Sequence, residues 1–232
     1  MSAPVNLWSE SAWAQRYLRE RDDIPHRMEG FAVLTELLPA APRRVLDLGT
    51  GDGYTLGLVR SVHPDVEGVG VDFSAEMLGL ARERFAGDGD VEVVEHDLDL
   101  PLPPLGRFDL VVSSFAIHHC VDERKRALYG EVFDVLEAGG RFLNLEHVDS
   151  ATPELHVDFL AAIGKTPAED DPSNKLVAVE TQLAWLREIG FEQVDCHWKW
   201  RELALLAGVK PAELLRDRRS RCTGASPPAG RR

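Results

Sequence analysis

The residues of this chain whose types and spacing point to chemistry are a set of alternate glycines, three acids and four groups able to take a proton. In Val45-Leu46-Asp47-Leu48-Gly49-Thr50-Gly51-Asp52-Gly53-Tyr54, glycines recur at every second position directly after a short apolar run. Gly49, Gly51 and Gly53 let the chain turn sharply and leave bare backbone for a ligand to approach. A dinucleotide site reads G-x-G-x-x-G, and the place of its third glycine is Tyr54 here. Asp47 stands two residues before Gly49. An acid there repels a pyrophosphate and attracts a positive amine. Asp72 follows the apolar run 66–71, roughly 20 residues after the turn, where a carboxylate accepts both hydroxyls of a ribose. His119, Glu146 and His147 are candidate general bases, and His118 beside them reads as a packing or hydrogen-bonding residue.

These residues need a frame that brings them to one edge. The run 45–48 has the pattern of a strand buried on both faces. Leu56, Leu58, Val59 and Val62 suit the helix that follows. Further strands are expected at 66–71, 91–95, 108–112 and 141–146, alternating with helices. Ser74 is placed to cap one of these helices, with Glu76 in its first turn. Asp122 is placed to start another, and Gly139-Gly140 to end it. A helix is expected at 29–38, another at 181–189, and two tightly joined strands at 191–198 and 201–207. The pattern is α/β: a Rossmann-like, seven-stranded, mostly parallel sheet with helices on both faces and an antiparallel final strand. In such sheets ligands bind at the carboxyl ends of the strands.

S-adenosylmethionine carries an amine and a sulfonium and no phosphate. The stretch around Asp47 resembles motif I of the class I S-adenosylmethionine-dependent methyltransferases, and the likeness extends over roughly residues 43–210. It implies a methyltransferase that uses S-adenosylmethionine, acting on an oxygen or nitrogen atom of a small molecule, in specialised-metabolite biosynthesis. Asp97 with Leu98 resembles the family's adenine-reading turn, Asp99 being the alternative acid. Phe73 and Met77 flank the adenine or serve only as core. Ser113, Ser114 and the residues through His119 match the segment after the fourth strand, which puts His119 near the transferred methyl. Residues 151–178 correspond to an insertion on the substrate side, with a short helix through Leu155, Phe159, Leu160 and Ile163 and a mobile stretch at 164–175. Residues 1–30 form either a helical cap over the cofactor, with Tyr17 facing the sulfonium and Arg27 holding a carboxylate, or a helix docked on the sheet edge. Two rivals share the scaffold: a nicotinamide-dependent oxidoreductase and a non-catalytic module that binds the same cofactor.

The chain has 232 residues and a formal net charge of −13. One domain over 31–215 is expected, with 216–232 a disordered basic tail. That tail holds six arginines and one acid, so it carries +5 and the remainder −18. An acidic body argues against nucleic acid as substrate. No apolar run spans a bilayer and no secretory signal opens the sequence. Cys120, Cys196 and Cys222 form no C-x-x-C pair, and no metal cluster is legible. A cytoplasmic enzyme with a small-molecule acceptor, monomeric or homodimeric, is the resulting expectation.

Overall fold

The computed structural model describes residues 18, 19 and 23–212. The chain runs α1 (Arg27–Glu36), β1 (Arg44–Leu48), α2 (Tyr54–Val62), β2 (Glu67–Asp72), α3 (Ala75–Arg84), β3 (Val91–Glu95), β4 (Phe108–Ser114), α4 (Asp122–Val135), β5 (Leu136–His147), α5 (Pro153–Ala162), α6 (Val179–Ile189), β6 (Glu192–Trp200) and β7 (Leu203–Val209). Single 3-10 turns cover Ile117–His119 and Pro167–Glu169. The seven strands lie in the order β3-β2-β1-β4-β5-β7-β6. β1 pairs in parallel with β2 and β4, and β4 with β5, while β7 is antiparallel to both its neighbours. The reversed last strand is the one expected. Strand order changes direction at β1, where an open sheet leaves a crevice above the strand ends.

Alternate residues of the central strands feed two cores, one on each face of the sheet. Leu46, Leu48, Val69, Val71, Val111 and Phe142 pack against Leu128, Tyr129 and Val132 of α4 and Leu186 of α6. Val45, Leu110, Val112, Leu143 and Leu145 pack against Phe31 and Leu34 of α1 and Leu56 and Val59 of α2. Period-two alternation with both faces covered explains why these strands read as unbroken apolar runs.

Several details differ from the sequence pattern. Helix α4 stops at Val135, and Gly139-Gly140 belong to the first part of β5. The register against β4 shifts there, between Phe108 and Leu110. Gly139, at φ +82°, fills an irregular edge rather than ending a helix. Lys210 Nζ caps α4 instead, donating to Phe133 O at 2.7 Å and Leu136 O at 2.8 Å. Val121 holds the N-cap position expected of Asp122, which stands in the first helical turn. The stretch 164–175 makes hydrogen bonds of its own. Thr166 and Glu169 close a capping box, and Lys175 N donates to His118 O at 2.9 Å. Ser74 caps α3 as expected, accepting from Met77 N at 3.5 Å.

Candidate functional site

A cleft of about 850 Å³, partly open to solvent, lies above the ends of β1, β2, β3 and β4. The turn after β1 forms its floor. Gly49 has φ +68°, and a Cβ there would lie 2.1 Å from Ala116 Cβ, so this position admits glycine on conformation and space alike. Gly51 has φ +56°, and its Cα faces open cleft, with Met77 Cε the nearest neighbour of a would-be Cβ at 3.8 Å.

Asp47 shapes this turn from beneath. Its Oδ2 accepts from Thr50 Oγ1 at 2.7 Å and from Leu56 N at 3.2 Å. It is fully buried, and burial pushes its carboxyl up to about 7 against those two hydrogen bonds. Asp47 therefore ties strand to helix and does not line the cleft. Gly53 also stands back, facing Phe85 Cε2 at 2.5 Å from the Cβ a side chain would add.

Asp72 stands at the cleft wall with both oxygens in use. Oδ2 accepts from Gly51 N at 2.9 Å and Oδ1 from Ser74 N at 2.8 Å. One carboxylate thus joins the glycine turn to the start of α3. Burial raises its pKa, opposed by those amides. Phe73 and Met77 line the same wall, followed by His96, Asp97 and Leu98 after β3. Asp97 Oδ1 accepts from Asp99 N at 2.9 Å, which shapes that turn.

The opposite wall comes from the end of β4 and from α1. Ser114 Oγ meets Thr55 Oγ1 at 2.6 Å on the lining. Ser113 faces away, fully buried, with Oγ donating to Leu48 O at 2.8 Å. Phe115 has φ +50°, a strained conformation for an aromatic residue, and it lines the cleft. Arg27 is buried with its guanidinium carbon 4.8 Å from the Phe31 ring, 5.4 Å from Phe115 and 5.8 Å from Tyr54.

The two histidines part company. His119 lines the cleft; burial and the neighbouring His118 ring, 4.1 Å away, push it down to about 3. His118 is turned under the sheet end, with Nδ1 2.6 Å from Glu146 Oε1. Burial holds His118 well below its ordinary value and lifts Glu146 to about 7. Glu146 also takes His147 N at 2.9 Å and Asn144 Nδ2 at 3.4 Å. His147 Nε2 pairs with Glu202 at 2.9 Å. Glu146 and His147 are spent on the frame, and neither lines the cleft.

Of the residues expected from sequence, the cleft thus gathers Arg27, Gly49, Gly51, Asp72, Phe73, Met77, Asp97, Leu98, Ser114 and His119. Asp47, Gly53, Ser113, Glu146 and His147 stand behind it. Tyr17 lies outside the described residues, as does most of the expected cap at 1–30. The cleft adds Thr50, Tyr54, Thr55, His96, Phe115 and Cys120. Thr50 and Thr55 sit inside the glycine turn and one residue into α2, so the turn itself was their signal; Phe115 lies within the segment from Ser113 through His119, which was its signal. Among the described residues, no three His, Cys, Asp or Glu side chains are placed to hold a metal ion, and no helix is long and apolar enough to cross a membrane.

A nucleoside with an amino-acid arm is compatible with what the cleft offers. Gly51 presents bare backbone, Asp72 a carboxylate, and His96 Nε2 is buried without a hydrogen-bond partner among the described residues.

Residues 45–140 match the family model of a methyltransferase domain. The chain is 32% identical over 199 residues to a demethylmenaquinone methyltransferase of Clavibacter sepedonicus, covering 78% of this chain and 79% of that one. It is 40% identical over 111 residues to the demethylmenaquinone methyltransferase of Thermus thermophilus. That second match spans 47% of this chain and about half, 49%, of the relative. Among solved structures, human N-acetylserotonin methyltransferase in complex with SAM superposes with a TM-score of 0.65 at 17% identity, over 90% of this chain and 61% of that one. At that identity the likeness speaks for the fold.

Proposed function

The chain belongs to the class I S-adenosylmethionine-dependent methyltransferases, and we propose that it moves a methyl group from that cofactor to an oxygen or nitrogen atom of a small-molecule acceptor. The observation that carries this reading is Asp72, set at the end of β2 with its carboxylate bonded to the amide of Gly51 in the turn below. When bound, the cofactor supplies an electrophilic methyl on a sulfonium. The residues of this chain do the rest. Asp72 accepts from the ribose hydroxyls, and Asp97 with the Leu98 backbone reads the adenine edge between Phe73 and Met77. Gly49 and Gly51 let the ligand approach the backbone, and Asp47 holds their turn in shape from below. Arg27 takes the carboxylate of the amino-acid arm.

The leaving sulfur is neutral, so no oxyanion needs support. Alignment of the acceptor behind the methyl supplies most of the acceleration, on the order of 7–11 kcal/mol. His119 meets the acceptor from the far wall. The relatives are named for demethylmenaquinone, which adds a quinone to the acceptors worth testing. A role in the synthesis of such small molecules, specialised metabolites included, is part of the proposal.

Calorimetric titration with S-adenosylhomocysteine and, separately, NADH tests the cofactor. Binding of the first alone is the expected result; binding of NADH alone ends the reading. Incubation with methyl-labelled cofactor and a metabolite extract tests the chemistry. Label appearing on a small molecule is expected, and cofactor binding with no acceptor-dependent label favours a non-catalytic binding module.

A further inference from the structure

We propose that Ser173 and Asp171 are positioning residues for His119: they hold the proton of its ring on Nδ1, so that Nε2 meets whatever occupies the cleft as a hydrogen-bond acceptor. The Nδ1 part stands on geometry alone. The consequence for the methyl acceptor rests on the function proposed above.

The direction of each hydrogen bond follows from what the groups can do. Asp171 Oδ1 lies 2.7 Å from Ser173 Oγ and 2.8 Å from Ser173 N. A carboxylate has only lone pairs, so the serine hydroxyl hydrogen goes to Asp171. Ser173 Oγ is then left with lone pairs for its second neighbour, His119 Nδ1, at 3.1 Å. The carbonyl of Ser173 faces the same nitrogen at 3.5 Å, and a carbonyl accepts only. Among the described residues both groups before Nδ1 are acceptors, so Nδ1 donates. Burial keeps the ring neutral, leaving it a single proton, and the lone pair falls to Nε2.

The turn carrying these two residues is fastened to the histidines themselves. Lys175 N donates to His118 O at 2.9 Å, and Lys175 Nζ donates to His119 O. Lys125 Nζ, buried at the start of α4, donates to Lys175 O. Backbone and ring of His119 are thus held by one short stretch of the insertion after β5. A ring fixed with Nε2 as acceptor favours methyl acceptors that present a hydroxyl or a protonated amine, and disfavours those that present only lone pairs.

The test uses full-length protein labelled with nitrogen-15 in its histidine rings, with long-range nitrogen–hydrogen correlation spectra reporting the tautomer. His119→Asn identifies the signal. In the wild type the protonated nitrogen is expected to be Nδ1. Asp171→Ala removes the oxygen that accepts the Ser173 hydroxyl, so the hydroxyl turns toward the ring and the proton moves to Nε2. Ser173→Thr keeps the hydroxyl and the wild-type pattern. A wild-type ring protonated on Nε2, which needs no variant to observe, overturns the proposal, as does a tautomer unmoved in Asp171→Ala. In the labelled-cofactor assay, Asp171→Ala lowers acceptor-dependent transfer by about tenfold or more, with S-adenosylhomocysteine affinity within about twofold of wild type and transfer retained in Ser173→Thr. Undiminished transfer in Asp171→Ala removes the positioning role. If wild type binds no S-adenosylhomocysteine, the proposed function fails while the spectra still decide the tautomer.

Discussion

Asp72 and Glu146 show how one residue type serves opposite ends at the same sheet edge. Asp72 faces the cleft with each oxygen fixed by a backbone amide, so its carboxylate is oriented before any ligand arrives. Asp72→Ala removes charge-assisted bonds worth roughly 1.5–3 kcal/mol each. We expect S-adenosylhomocysteine affinity by calorimetry to fall by at least about tenfold. Asp72→Asn retains one acceptor oxygen and should lie between; equal affinity in all three proteins would remove Asp72 from the ligand. Glu146 is buried instead, and burial lifts it from 4.5 to about 7. The folded chain therefore holds this proton after the unfolded chain has released it. The stability so contributed is complete below about pH 4.5 and drains away as pH rises to about 7. Glu146→Gln cannot titrate. Denaturant unfolding from pH 4.5 to 7.5 should show the variant gaining on wild type by about 3 kcal/mol, at about 1.36 kcal/mol per pKa unit. Parallel stability curves would mean that Glu146 is ionised in the fold throughout.

At the scale of elements, the unit β1–turn–α2 was the most legible part of the sequence, because a doubly buried strand, three glycines and an amphipathic helix each leave a separate mark. Asp72 was equally legible, since a strand end is a fixed place. What the sequence hid were facing directions. Ser113 and Ser114 are adjacent, and the pleat sends one beneath the sheet and the other into the cleft. Glu146 and His147 end a strand as a catalytic pair might, yet the one bonds His118 and the other Glu202 from the β6–β7 turn, 55 residues away in sequence. Such a partner has no local signal. The turn separates two kinds of glycine that sequence cannot tell apart. At Gly49 a methyl collides with Ala116, so Gly49→Ala should cost about 1–3 kcal/mol in denaturant unfolding through strain and displacement. At Gly51, also left-handed at φ +56°, a side chain is strained but meets no collision and enters open cleft, so Gly51→Val should lose most cofactor affinity beyond its cost in stability while a far-ultraviolet spectrum stays native. The reverse pairing of defects would show that the cleft floor is misplaced.

For the molecule as a whole, the decisive feature is that both cores hang on the same strands. Leu46 and Leu48 belong to one, Val45 to the other, and a single seven-stranded sheet joins them. Neither helical layer can leave without exposing the strands that the other covers, so unfolding should be one cooperative event. The cleft draws its lining from the ends of β1 to β4 and from α1, hence a ligand there touches the shared structure rather than a detachable lobe. A ligand that binds only the folded chain stabilises it by about 2.7 kcal/mol at a concentration of about 100 Kd. For a domain of this size each kcal/mol moves the midpoint by roughly 2–4 °C, so S-adenosylhomocysteine should raise a single calorimetric transition by about 5–10 °C. The same dose of NADH should leave it in place. Two transitions, only one of them shifted by ligand, would mean that the layers unfold independently and that the sheet does not couple the cleft to the rest of the fold.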